Sequence, residues 1–202
     1  MQTKESIRPQ VGCRDNIGRY LTSSDVILVT ALPVRLSIDG NMLANNGNND
    51  ADLVVELQRS FDEMNDAKNF NRVAKNLKVI SASPRNLVVQ LRIDEEHLNG
   101  KGTLHGGQTA ALIDIITARA VGITVKNIPM VSLDISVSYM LPVKKGEIII
   151  IEAICLKIGR NVAFTEAIFR RASDNALVSK GRHNISILNY LKPKDGEIIN
   201  QF

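Results

Sequence analysis

Asn99-Gly-Lys-Gly-Thr-Leu-His-Gly-Gly-Gln-Thr-Ala-Ala-Leu-Ile-Asp-Ile-Ile-Thr-Ala-Arg-Ala-Val121 is the stretch whose reading decides the fold. It opens as a glycine-punctuated loop and continues as a helix that is apolar on nearly every side. Ala110, Ala111, Leu112, Ile113, Ile115, Ile116, Ala118, Ala120 and Val121 leave little polar surface, so the helix is expected to be buried. Asp114 interrupts that run. A charge taken out of water without partners costs several kcal/mol, so a lone carboxylate here needs a reason.

Strand patterns lie on both sides of this helix. Downstream, Val131, Leu133, Ile135, Val137 and Tyr139 alternate with Ser132, Asp134, Ser136 and Ser138, which predicts a half-buried strand. Glu147 to Ile158, Val162 to Arg171 and Ala176 to Leu188 follow as further strands. Short turn-like connections at 142–146, 159–161 and 173–175 predict antiparallel hairpins between them. Upstream, Lys78 to Ala82 and Leu87 to Ile93 flank the turn sequence Ser83-Pro84-Arg85-Asn86. Before them, Leu53, Leu57, Phe61 and Met64 recur at helical spacing from Ala51 onward. One apolar helix among antiparallel strands implies an α+β domain with the sheet wrapped around the helix.

The chain has 202 residues, enough for one good-sized domain with extensions. The boundaries read as an N-terminal extension over 1–50, the α+β domain over 51–188 and a tail over 189–202. Within the extension, Val26 to Ile38 reads as a strand or a strand pair broken at Pro33, and an asparagine-rich linker follows. Arg8, Arg14 and Arg19 with Ser23 and Ser24 have a mitochondrial-presequence flavour that Glu5, Asp15 and Asp25 oppose, so mitochondrial and cytoplasmic locations both stay open. Net charge is +4, and the basic residues are scattered without interleaved aromatics, which speaks against a nucleic-acid surface. No apolar run approaches the roughly 20 residues of a membrane span. Cys13 and Cys155 form no metal or redox spacing; Cys155 reads as a small core residue in an apolar strand, and a reducing compartment is the better expectation.

The central stretch also carries the parts of an acyl-transfer site. A helix N-terminus offers unpaired N–H groups and the positive end of a dipole. Gly106 and Gly107 have no side chains to keep a carbonyl away from those groups. Asp114 follows Gly106 by eight residues, a little over two turns, so both fall on one side of the helix and can share a cavity. A donor for a developing oxyanion and a base for water are what hydrolysis of an acyl group needs.

Leu104-His105-Gly106-Gly107 with Asp114, Asn99 upstream and Val131-Ser132-Leu133-Asp134 downstream resembles the hotdog-fold acyl-CoA thioesterases, in particular the thioesterase superfamily member 2 type. Tyr139 to Lys144, Lys157 to Arg160 and Gly181-Arg182-His183 extend the resemblance to about residues 60–188. It implies a hotdog fold, hydrolysis of acyl-CoA to free acid and coenzyme A in fatty acid metabolism, and no metal or cofactor, coenzyme A being part of the substrate. By the same resemblance Gly106 N–H polarises the thioester carbonyl with Asn99 as helper. Asp114 is general base or nucleophile, Ser132 from the neighbouring subunit holds the water, and His105 sits beside the carbonyl or the leaving thiolate. Tyr139, Met140, Leu141, Pro142, Val143 and Lys144 match one segment lining the coenzyme A site; Lys157, Ile158, Gly159, Arg160, Asn161 and Val162 match a second. Lys144, Lys157 and Arg160 suit its phosphates. A homodimer assembling into a homotetramer is implied too, since an open sheet needs a partner at its edge.

Other readings compete at single residues. Gly106-Gly107 also fits a tightly packed helix entry, and His105 also fits a helix cap or a satisfied core histidine. His183 reads as structural on the apolar side of its strand, and His97 as a solvated loop residue. Two whole-protein alternatives remain: a hotdog enoyl-CoA hydratase or dehydratase, and a hotdog protein that binds acyl-CoA without cleaving it. No histidine follows Asp114 on the same helix, which weighs against the first.

Overall fold

The computed structural model describes residues 47–191. The expectations for Val26 to Ile38, for the presequence-like arginines and for Cys13 lie outside these residues, as do those for residues 192–202. Helix α1 (Gly47–Asp62) begins within the asparagine cluster, a few residues earlier than its apolar spacing indicates. Leu57 and Phe61 are buried, and Met64 follows them into the core from a short 3-10 turn.

Six strands form one antiparallel sheet: β1 (Lys78–Ser83), β2 (Asn86–Arg92), β3 (Met130–Tyr139), β4 (Ile148–Ile158), β5 (Val162–Arg171) and β6 (Leu177–Ile187). Their order is β1-β2-β4-β5-β6-β3. Each lies within a residue or so of its predicted position, because β-branched runs bounded by turn residues leave little freedom at the ends. Helix α2 (Gly106–Gly122) packs against the sheet with Leu112, Ile113, Ile116 and Ala120 fully buried. The inward-facing residues of β2 and β4, Leu87, Val89, Leu91, Ile149, Ile151 and Ala153, close the core beneath it. This is the α+β arrangement expected from the pattern and the hotdog fold implied by the resemblance.

Close approach of α2 to β6 depends on Gly181. A Cβ there would fall 2.4 Å from Ile113 Cδ1 and 3.1 Å from its Cγ1. Ile113 is β-branched and stiff in a helix, so it has little room to retreat. At its other face α2 meets α1: the Arg119 guanidinium lies 5.8 Å from the centroid of the Phe61 ring, a cation–π distance. Burial lowers the Arg119 pKa to about 10, with Glu63 opposing the shift.

Two strand expectations are corrected. The connection 142–146 is not a hairpin: β3 lies at one edge of the sheet beside β6, while β4 pairs with β2. The segment crosses over because its hydrogen bonds go elsewhere. Met140 and Leu141 N–H donate to Val178 C=O, Thr103 bridges Lys144, and Ile93 exchanges backbone bonds with Gly146 and Glu147. Strand β3 is also not half-buried. Val131 is 49 % exposed and Leu133 56 %, with Ser132, Asp134 and Ser136 open on the other face. An alternating pattern reports one apolar face, not what covers it. The opposite edge strand, β1, is packed by α1.

Candidate active site

The loop before α2 is tied down from three directions. Asn99 Oδ1 accepts from the N–H groups of Lys101 at 2.8 Å and Thr103 at 3.3 Å, and its Nδ2 donates to Thr103 Oγ1 at 2.9 Å. Leu104 N–H donates to Val143 C=O and His105 N–H to His97 C=O, both at 2.8 Å. His105 is the N-cap, its Nδ1 accepting from Gly107 N–H at 2.8 Å. Among the described residues Gly106 N–H has no acceptor. That donor stands at the positive end of a 17-residue helix, where an anionic oxygen is stabilised.

Tyr139, from the end of β3, closes over this point. Its hydroxyl donates to Gly106 C=O at 3.0 Å, and a Cβ on Gly106 would lie 3.4 Å from the tyrosine ring. A Cβ on Gly107 would meet His105 Nδ1 at 3.0 Å. A cavity of about 310 Å³ opens here, with Asn99, Gly106, Tyr139, Met140, Leu141 and Pro142 on its wall. Val143 does not face it; its side chain is fully buried in the core and its carbonyl supports the loop.

The carboxylate stands elsewhere. Asp114, its side chain 45 % exposed, accepts from Ser132 Oγ–H at 2.6 Å through Oδ1. Strand β3 packs against α2 and sets Ser132 on the carboxylate of the same chain. Beneath Asp114 lies His183, fully buried, with Nε2 3.5 Å from Oδ1. Its Nδ1 is 2.6 Å from Thr117 Oγ1. Burial pushes the His183 pKa below its ordinary value, against the pull of Asp114 and Asp134. From sequence alone His183 reads as structural; only the register of β6 on β3 and its packing against α2 reveal where its ring points.

One chain therefore holds two separate groups of candidate residues. Eight residues of helix put Asp114 about 12 Å along the axis from Gly106, and neither Asp114 nor Ser132 lines the cavity at the helix N-terminus. The expectation of one shared cavity within a chain is corrected accordingly: position on one helix side sets direction, while axial rise sets separation. The second predicted ligand segment is farther still. Ile158, Gly159 and Arg160 border a cavity of about 480 Å³ with Thr124, Lys126 and Asn189, at the C-terminal end of α2. A helix of this length separates its ends by about 25 Å. Lys144, by contrast, stays near the helix N-terminus through its bridge to Thr103.

Two further residues depart from or fill out the reading. His97 is not solvated but 2 % exposed, with Nδ1 accepting from Asp94 N–H at 2.9 Å, and desolvation lowers its pKa against Glu96 and Asp94. Cys155 is buried, which pushes its thiol pKa up and leaves it a core residue. Among the described residues no group of His, Cys, Asp and Glu is placed to hold a metal, and no helix is long and apolar enough to cross a membrane.

The chain is similar to known proteins. The family profile described as Thioesterase superfamily matches residues 101–178. A Caenorhabditis elegans protein named provisionally as an esterase is 48 % identical over 137 residues, 68 % of this chain and 81 % of its own. Human acyl-coenzyme A thioesterase 13 is 39 % identical over 131 residues, 65 % of this chain and 94 % of its own. The crystal structure of zebrafish thioesterase superfamily member 2 superposes with a TM-score of 0.64 at 36 % identity, covering 67 % of this chain and 97 % of that one.

Proposed function

The chain belongs to the thioesterase superfamily, and on that premise we propose that it hydrolyses acyl-CoA thioesters to free acid and coenzyme A. The observation that carries the reading is the pairing of an unengaged Gly106 N–H at a helix N-terminus with a half-exposed Asp114 held by Ser132. Gly106 N–H, supported by the Asn99 loop, polarises the thioester carbonyl and receives the oxyanion. One such donor is worth ~10²–10³ in rate. Asp114 takes the proton from water while Ser132 fixes the orientation of the carboxylate. Tyr139 to Pro142 line the approach to Gly106, and Lys144, Lys157 and Arg160 are the cations offered to phosphates.

The two half-sites meet across copies. Strand β3 is an open edge with apolar Val131 and Leu133 exposed, the kind of strand that pairs with its own copy. A two-fold pairing there would bring the helix N-terminus of one protomer to the Asp114–Ser132 pair of its partner, and the second cavity with Arg160 towards the first. Assembly of two dimers into a tetramer extends the same proposal.

Neither alternative is favoured. A hydratase needs a histidine that reaches a substrate carbon, and His183, beside Asp114, is fully buried. A pure acyl-CoA binder has no use for the intact Asn99, His105, Gly106, Asp114 and Ser132 set. The test is free-thiol release from a panel of acyl-CoA chain lengths by the wild type and Asp114→Asn. Cleavage that Asp114→Asn abolishes while the fold persists supports the reading. Tight acyl-CoA binding without thiol release by the wild type overturns it.

A further inference from the structure

The hydrogen bonds around Thr117 dictate where the protons of His183 sit. Thr117 Oγ1 lies 2.7 Å from Ile113 C=O and 2.6 Å from His183 Nδ1. A carbonyl only accepts, so a contact that short needs the hydroxyl proton between the two oxygens. Thr117 has a single hydroxyl proton and it is committed to Ile113. The proton in the second contact must then come from the ring, which makes His183 an Nδ1–H donor and leaves Nε2 bare. That nitrogen is buried, has no hydrogen-bond partner among the described residues, and faces Asp114 Oδ1 at 3.5 Å.

The other two histidines are wired the opposite way. His97 Nδ1 accepts from Asp94 N–H and His105 Nδ1 accepts from Gly107 N–H, so their neutral rings carry the proton on Nε2. The chain has three histidines, and His183 alone has its bare nitrogen turned to a carboxylate. Groups around the ring agree with a neutral imidazole. The charged neighbours acting on it are Asp114 from α2 and Asp134 from β3, and desolvation outweighs both.

We infer that His183 is a positioning residue for Asp114, held by Thr117 in the Nδ1–H form so that Nε2 takes the hydrogen bond of the proton Asp114 removes from water. The inference rests on the reading of Asp114 as the water-activating base. In the resting site two acceptors face each other with no proton between them, and each lacks a partner in that direction. When water gives a proton to Asp114, its oxygen forms the C–O bond to the thioester carbon and the carbonyl electron pair moves to the oxygen at Gly106 N–H. The proton on Asp114 then lies in the Oδ1–Nε2 gap, donated to the imidazole. On collapse the pair on the oxyanion re-forms the C=O bond, the C–S bond breaks with its own electron pair going to sulfur, and the same proton is released to the thiolate.

The test is histidine-selective 15N labelling of the full chain, with the three rings read by long-range 15N–1H correlation at about pH 8, above the range where free imidazole titrates. His183, identified by the signal lost in His183→Asn, is expected as Nδ1–H against Nε2–H for His97 and His105. A His183 ring protonated on Nε2 overturns the inference and leaves the thioesterase reading standing. Thr117→Val then removes the oxygen that sets the tautomer. The ring is expected to move its proton to Nε2, with kcat falling ~10-fold or more at unchanged KM, and Thr117→Ser is expected to restore both. A tautomer that switches with no change in kcat overturns the inference as well. Full activity in Asp114→Asn with Nδ1–H retained at His183 would instead remove the base reading on which it rests.

Discussion

The two half-sites on α2 are built from different materials. At the helix N-terminus the proposed working group is a backbone N–H, exposed by the absence of side chains at Gly106 and Gly107 and held by loop hydrogen bonds from Asn99, Leu104 and His105. Two turns on, the proposed working group is a side chain with other side chains around it: Ser132 from β3, His183 from β6 and, behind that, Thr117 from the helix itself. The first half keeps its geometry as long as the loop closes. The second depends on three elements holding register, and it sits over a buried imidazole. Backbone sites tolerate change around them; side-chain sites are lost with single atoms.

The largest effect is expected where a single side chain is the chemistry. Asp114→Asn should lower kcat by ~10²–10⁴ with little change in melting, since the side chain is half exposed; steady-state thiol release beside a thermal melt checks both. Asn99→Ala acts on the other half, removing the side chain that closes the loop, and kcat/KM is expected to fall ~10² as Gly106 N–H loses its aim. Gly181→Ala leaves both chemistries alone and strikes the packing between them. Its Cβ must displace Ile113, and a loss of ~1–3 kcal/mol in a urea titration is expected.

The smallest effect is on stability against pH. Burial lowers the pKa of both His97 and His183, so they stay neutral in the fold while the unfolded chain protonates them below about 6.5. The unfolded state then binds more protons, so their contribution is fully present above that pH and declines as pH falls through it. Urea midpoints measured downward from neutral pH should decline, and His97→Asn should flatten that decline.

Much of this was legible from residues alone. Six strands and the central helix follow from β-branched runs, turn residues and one apolar helix, all local signals. Gly106 and His105 announced the backbone half, because missing side chains beside a cap are visible in sequence. What escaped is long-range. The crossover between β3 and β4 depends on whether residues 142–146 bond to each other or to the Thr103 and Ile93 regions, and turn-like composition serves either. The exposure of Val131 and Leu133 is set by sheet order, which alternation does not encode. His97 is buried because His105 N–H and Asp94 N–H both bond to it, contacts no local pattern signals. His183 meets Asp114 only because β6 pairs with β3 in the sheet and packs against α2.

The central claim is that a working site joins the Gly106 half of one protomer to the Asp114 half of another. Mixing the two inactive variants Asn99→Ala and Asp114→Asn tests it most directly. In a hybrid dimer one site then receives both intact halves and the other receives both damaged ones. After unfolding and refolding an equal mixture, thiol release is expected to return to about a quarter of wild type, half the dimers being hybrid with one working site each. If each chain carried its own complete site, every site in the mixture would hold one lesion, and activity would stay at the level of the separate variants.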